Sequence, residues 1–300
     1  MAEELYLGID VRPSTVRVGL GDDKGLASDV FSVDRKEYWS EDGLIELLED
    51  SLRNFNRSLE DVKSIGLAVS GLVNPEEKKM RESYSLEELE FTELKQLDTQ
   101  FYVENDANAA VIGEKEFGEG QEKENLVTIL LDDGIGGGVF YSGWLLGSRE
   151  DGSSPEPAGI QVSENAIWDE AVGGELMPDY MEDWLESTEE ETGLEIGMDA
   201  REVLKRSQAG DTSEFINHLA ELNARGIATI IDTYAPEKIT FTGFVATENP
   251  EFMEKTFQKV EEKTINPVPE MKISKEKEKL GVLGAIAIAQ GKYLPVAQTD

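Results

Sequence analysis

Residues Leu130–Phe140 read LLDDGIGGGVF. Four glycines in five positions close an apolar run, the pattern of a turn at which backbone approaches another group closely. Successive N–H groups at such a turn can cradle an anion, phosphate above all, although a glycine turn also joins the strands of an ordinary hairpin. Asp132 and Asp133 stand directly before the glycines, where a phosphate meets charge of its own sign. Leu126–Leu131 and Gly138–Ser142 read as buried strands on either side.

The same layout opens the chain. Leu5–Asp10 (LYLGID) and Val16–Gly21 (VRVGLG) are strands around the turn RPST, and a third strand is expected near Leu26–Val33. Helical spacing runs over Ser40–Phe55, with Ser40 placed as a cap, and over Ser85–Leu97. Strands at Ile65–Val69 and Phe101–Val103 lead to ENDANAA and a helix over Ala107–Phe117. After the second glycine-containing pair of strands come helices near Trp168–Ser187, Ala200–Ser207 and Thr212–Tyr234. A strand at Lys238–Thr242, a helix from Pro250, a strand at Met271–Ser274 and an apolar helix over Leu280–Gln290 complete the pattern. Strands followed by helices, twice over, with a weak internal repeat at residues 5–21 and 126–142, predict an α/β protein of two similar domains with a central cleft.

Composition narrows the chemistry. With 300 residues and 39% hydrophobic content, the chain can build one large or two medium cores. It holds no apolar run long enough to span a bilayer and opens with no signal-peptide pattern, so no membrane partner is expected and the cytoplasm is the expected location. The absence of cysteine and the single histidine, His218, exclude a zinc site of the usual kind. His218 falls in the amphipathic pattern FINHLAELNARGIATII and reads as a helix-surface residue, while Met177–Trp184 reads as core or dimer packing. The 63 acidic against 28 basic residues, net −35, would repel a nucleic acid and suit a protein kept soluble in molar salt, where charge is screened within about 3 Å.

Several polar residues stand where α/β proteins bind ligands. Asp10 ends a strand at a turn and is placed to hold hydrated magnesium, or simply to form the turn. Asn105 and Asp106 close a strand and open a helix; Asp106 is either an N-cap or a carboxylate free to accept a proton from an alcohol during phosphoryl transfer. FTGFVATENP, with Gly243 after a strand, lets a flat base approach the backbone or makes a plain turn. LGVLGAIAIAQ, with small residues on one face, points to tight packing.

Taken in order, these segments resemble the ROK family of repressors and sugar kinases, of the actin-like ATPase fold, over nearly the whole chain. LGIDVRPSTVRVGL is similar to its first phosphate motif and GLAVSGLVNP, with Gly71, to its G-x-x-x-x-G-x-V-D segment. VENDANAAVIGE, DDGIGGGVFYSGWLLG, PAG, TGFVATENPEF and LGVLGAIAIA follow in family order. The resemblance implies two actin-like (ribonuclease H-like) domains: residues 1–117, joined by the C-terminal helix at 280–293, and residues 118–279. It implies an ATP-dependent, glucokinase-like transfer of the γ-phosphoryl group to a sugar, with Asp106 as general base. Asn105, Asp106, Gly71 and Asp169 would hold the sugar. Asp10, Arg12, Ser14, Asp133, Gly134, Gly136, Gly137 and Gly243 would face ATP, with Asp10 organising Mg2+ and no zinc. A homodimer is compatible with the family; its repressors carry a DNA-binding segment, which is not expected here with the first strand starting by Leu5.

The departures fall in functional places. Arg12, Pro13 and Ser14 replace the Gly-Gly-Thr of the first motif, and Asp132 and Asp133 replace hydroxyl residues of the second. Ile160 and Ser163 stand at the sugar-binding glutamate and the histidine of the substrate loop, and the cysteine-rich zinc loop is missing. Asp169 aligns loosely with a later family glutamate, and Ser85 with a family asparagine. The chain thus reads as a salt-adapted, archaeal-type member with a degenerate substrate loop. It is a kinase for an altered sugar, or a degenerate member that binds nucleotide, sugar or a partner without efficient transfer. If the two aspartates are to tolerate ATP, they need a cation, with magnesium or Arg12 the candidates.

Overall fold

The structure, a computed structural model, describes residues 4–38, 40–82, 90–187, 194–208 and 214–293. Strand β1 (Leu5–Val11) turns back into β2 (Thr15–Asp22), and the two pair antiparallel from Tyr6 opposite Gly21 to Val11 opposite Val16. The expected third strand is two short pieces, β3 (Gly25–Leu26) and β4 (Phe31–Asp34), each paired to β2. Ser28 interrupts them, because its hydroxyl accepts the Leu20 N–H at 2.9 Å and takes that donor out of the ladder. Helix α1 (Glu41–Asn54) begins at a Ser40 cap whose oxygen accepts the Gly43 N–H.

Next come β5 (Val62–Val69), β6 (Leu72–Asn74), β7 (Lys79–Glu82), β8 (Gln100–Asn105) and α2 (Asp106–Glu116). The helix expected over Ser85–Leu97 is not found in its described part, which holds a 3-10 turn at Leu94–Gln96; Ser85 lies outside the described residues. Phe91 takes a left-handed φ of 51° there, so the apolar side chains Phe91 and Leu94 reach the core from a turn and not from a helical face.

The second half contributes β9 (Leu126–Leu131), β10 (Ile135–Tyr141), β11 (Trp144–Leu145), α3 (Trp168–Val172), α4 (Met177–Ser187), α5 (Ala200–Gln208) and α6 (Glu214–Tyr234). It ends with β12 (Lys238–Thr242), α7 (Phe244–Thr247), α8 (Pro250–Val260), β13 (Glu270–Ile273) and α9 (Leu280–Ala289). The single helix expected at Trp168–Ser187 is therefore two. It breaks at Gly173–Gly174, where the N–H groups of Gly174 and Glu175 donate to the Asp132 and Asp133 carbonyls instead of continuing the helix.

One sheet runs β3-β2-β1-β5-β8, with β4 also on β2; the other runs β11-β10-β9-β12-β13. In the first, β1 meets β2 antiparallel and β5 and β8 follow in parallel. In the second, β12 and β13 follow β9 in parallel, so the weak sequence repeat corresponds to a shared strand order. By its contacts the chain forms two compact units, residues 1–122 with 138–155 and 278–300, and residues 123–137 with 156–277.

The first unit closes on α9, all of whose residues are buried. Its small residues serve packing, as their spacing predicts: a Cβ at Gly284 would lie 1.8 Å from the Ala109 carbonyl oxygen, so only glycine lets α9 reach α2. The aromatic run in α4 is packed likewise, with Met177 and Met181 fully buried and Trp184 against Phe215. His218 on α6 is half-buried, its Nε2 2.8 Å from the Tyr180 hydroxyl, and burial lowers its pKa. Among the described residues no helix is long and apolar enough to cross a membrane.

Candidate active site

In the first unit the site is built where β1 and β8 end on either side of β5. Asn105, not Asp106, caps α2: its Oδ1 accepts the N–H groups of Ala107 (2.9 Å) and Asn108 (3.1 Å). Its amide donates to the Gly71 carbonyl at 3.1 Å, which ties two of the expected sugar residues together. The cap reading of Asp106 is therefore replaced. As the first helical residue it points one oxygen at the Ala107 N–H (3.0 Å), while Oδ2 faces Arg12 at 3.9 Å. Asp106 is 6% exposed; desolvation pushes its pKa up, Arg12 pulls it back and Asp10 pushes it further up.

Asp10 is fully buried. Arg12 Nε donates to both its oxygens, at 2.8 and 3.0 Å, and Arg17 approaches at 3.6 Å. Arg17 also pairs with Glu278. The first turn of α9 is so close that a Cβ on Gly281 would sit 2.3 Å from Asp10 Oδ2, and the positive end of the helix favours the carboxylate there. Asp10 thus has guanidinium partners in place of an open coordination position. Ser14 lies exposed in the β1–β2 turn.

Beneath this pair lies Glu104, which sequence reasoning did not single out. It is buried at the end of β8, and its Oε1 accepts from Ser148 Oγ (2.5 Å), the Asn105 N–H (2.7 Å) and Asn108 Nδ2 (3.1 Å). Burial raises its pKa, against those three donors. Its alternation with Asn105 in a strand that enters a helix was the available signal.

In the second unit the glycine run divides. The turn proper is Asp132–Gly134, closed by the Asp132 N–H donating to the Gly134 carbonyl at 3.0 Å. Strand β10 begins at Ile135, earlier than the expected Gly138, so Gly136 and Gly137 are strand residues. None of the run has a positive φ; close approach and not left-handed backbone requires glycine at Gly137 and Gly138. A Cβ at Gly137 would lie 2.7 Å from Pro157. Within the first unit, one at Gly138 would lie 2.3 Å from the Ala107 carbonyl.

Asp169, from α3, takes up a donor of this run. Its Oδ1 accepts the Ile135 N–H at 2.7 Å, and partial burial raises its pKa. Gly243 has a φ of +88° and holds the end of β12 against Leu131, where a Cβ would be 2.2 Å from that carbonyl. Arg201 on α5, a residue the sequence did not mark, feels the charge of Asp132 and Asp133; Arg12 is engaged by Asp10.

A family model described as the ROK family matches residues 6–166 and 178–292. The chain belongs to the ROK family. A glucokinase of Thermotoga maritima is 29% identical over 164 residues, 53% of this chain and 51% of that protein, so the chain spans about half the length of that relative. A glucokinase of Halalkalibacterium halodurans is 22% identical over 276 residues, 82% of each chain. Among solved structures, a ROK family glucokinase from Streptomyces griseus, in complex with glucose and AMPPNP, superposes with a TM-score of 0.80 at 20% identity, covering 96% of this chain and 99% of that one. This ROK chain therefore has the mixed α/β, actin-like fold of the family's sugar kinases.

Proposed function

We propose that this ROK chain is an ATP-dependent sugar kinase of glucokinase type, with Asp106 as general base. The observation that carries the reading is Asp106 itself: a buried carboxyl at a strand end, raised in pKa by desolvation and not consumed by capping. A raised base is better matched to an alcohol proton than an ordinary carboxylate. The sugar hydroxyl gives its proton to Asp106 as its oxygen bonds to the γ-phosphorus; the bond from that phosphorus to the bridging oxygen breaks, and ADP leaves. Arg12, 3.9 Å away, pulls the raised pKa back and so favours the ionised form that accepts the proton.

In this reading Asn105, Gly71 and Asp169 hold the sugar, and Arg12, Ser14, Asp133, Gly134, Gly136, Gly137 and Gly243 belong to the ATP side. The glucokinase relatives support a hexose, while Ile160 and Ser163 remove two groups of the family's usual clamp and argue for altered selectivity. The surroundings of Asp10 do not fit a directly ligated magnesium ion, since Arg12 spans both oxygens, and among the described residues no three acidic or histidine side chains converge on a metal position. Magnesium is accordingly assigned as the counter-ion of ATP. The net charge of −35 supports a salt-adapted protein.

The test is ADP release in molar salt over a panel of sugars, with Asp106→Asn as control. Turnover on a sugar that disappears in Asp106→Asn supports the reading; turnover that survives removes the base from it. Nucleotide binding without turnover on any sugar would instead favour the degenerate member.

A further inference from the structure

The acidic glycine turn raises a problem for an anionic ligand, and the second unit sets an arginine beside it. Asp132 and Asp133 sit half-buried at the turn. Their carbonyls bind the Gly174 and Glu175 N–H groups at 2.8 Å, and Gly174 lies against the ring of Phe244, the residue after Gly243. On that ring sits Arg201, its guanidinium carbon 4.0 Å from the centroid, and the same guanidinium pairs with Glu248. Partial burial works against this charge, but the Glu248 bond and the carboxylates of Glu248, Asp132 and Asp133 outweigh it and hold the guanidinium above its usual pKa. Turn, ring and arginine are thus linked by one chain of contacts within the unit.

The Arg201 and Glu248 side chains are 48% and 51% exposed. An ion pair that open contributes little to stability, so holding the fold together is a poor account of it. Its placement has a better one. A polyphosphate brought to this turn meets the two aspartates first, and close like charges oppose it. A guanidinium fixed over a flat ring offers a planar fork to phosphate oxygens and exchanges one anionic partner for another without rebuilding the site.

We propose that Arg201 is a nucleotide-recognition residue, the counter-cation that lets an acidic glycine turn accept a nucleoside polyphosphate. The inference rests on the kinase reading for its ligand class, and it places the compensating charge on α5, outside the motifs that identify the family. It also accounts for the tolerance of Asp132 and Asp133 where hydroxyl residues are expected.

The experiment is calorimetric titration of the full chain with MgADP at low and at molar salt. Arg201→Gln should raise the dissociation constant about tenfold or more, the loss of one charge-assisted contact, and leave the melting temperature of the unliganded protein nearly unchanged. Asp132→Ser with Asp133→Ser, placed on Arg201→Gln, should recover most of the lost affinity, because the repulsion that Arg201 offsets is then gone. A merely structural arginine would not be rescued in that way. Unchanged affinity in Arg201→Gln, or no recovery in the triple variant, overturns the proposal. Should Arg201→Gln fail to fold, the two serine substitutions on the wild-type chain decide: tighter MgADP binding supports the proposal and unchanged binding overturns it. Bound MgADP without sugar turnover counts against the kinase reading alone, Arg201-independent binding against Arg201 alone, and no binding against both.

Discussion

Asp106 shows how a single position is set by competing terms. Burial disfavours its charge, the neighbouring Asp10 disfavours it further, and Arg12 restores part of it, leaving the pKa above the ordinary carboxylate value. The folded chain therefore holds the Asp106 proton more tightly than the unfolded chain does. The stability associated with this group is fully present below the unfolded pKa and is lost as pH rises through the raised folded value. At neutral pH the ionised carboxylate thus costs stability, and Asp106→Asn should melt at a higher temperature than wild type in a calorimetric scan while losing at least about a thousandfold in kcat, within the range of general-base catalysis. A lower melting temperature would mean that the pair with Arg12 outweighs desolvation. In the active protein the same raised pKa places the acid limb of the kcat profile above the ordinary carboxylate range, and activity falls as pH falls through it.

At the scale of elements, the β8–α2 junction and α9 hold the site in place. One oxygen of Glu104 accepts from Ser148, the Asn105 N–H and Asn108, and so anchors the residue that caps α2. Glu104→Ala strands three buried donors and should cost about 3 kcal/mol or more, whereas Glu104→Gln keeps an acceptor and should cost much less. Chemical denaturation in molar salt compares the two; equal losses would show that the network is held elsewhere. On α9, the backbone of α2 stands where a side chain would go. Gly284→Ala, with a Cβ 1.8 Å from the Ala109 oxygen, should cost about 3 kcal/mol and pull α2, with Asp106, out of position. A fully stable, fully active Gly284→Ala protein would show that the two helices separate without consequence.

For the whole molecule, the decisive quantity is a charge of −35 on 300 residues. Self-repulsion opposes the compact state until salt screens it, and molar salt shortens its reach to about 3 Å. The melting temperature is expected to rise by several degrees between dilute and molar potassium chloride. A melt that is the same in both would remove salt adaptation as the reason for the acidity. The two sheets share one strand order, β2-β1-β5-β8 in the first and β10-β9-β12-β13 in the second, a repeat that the sequence carries only faintly.

Much of this was legible in the chain. Period-two and period-3.6 patterns located most strands and helices, because burial acts on a few residues at a time, and ENDANAA with GIGGG identified the family because close backbone approach admits few side chains. The absence of cysteine excluded a zinc loop by composition alone. Pairings between distant segments were not legible. That Arg12 answers Asp10, that Asn105 and not Asp106 caps α2, that Phe91 turns where a helix was expected, and that Arg201 lies on the Phe244 ring all depend on which side chains the folded backbone brings within a few ångströms. Local sequence determines what an element is; electrostatic and hydrogen-bond partners are chosen in three dimensions, where residues 43 positions apart such as Arg201 and Phe244 become neighbours.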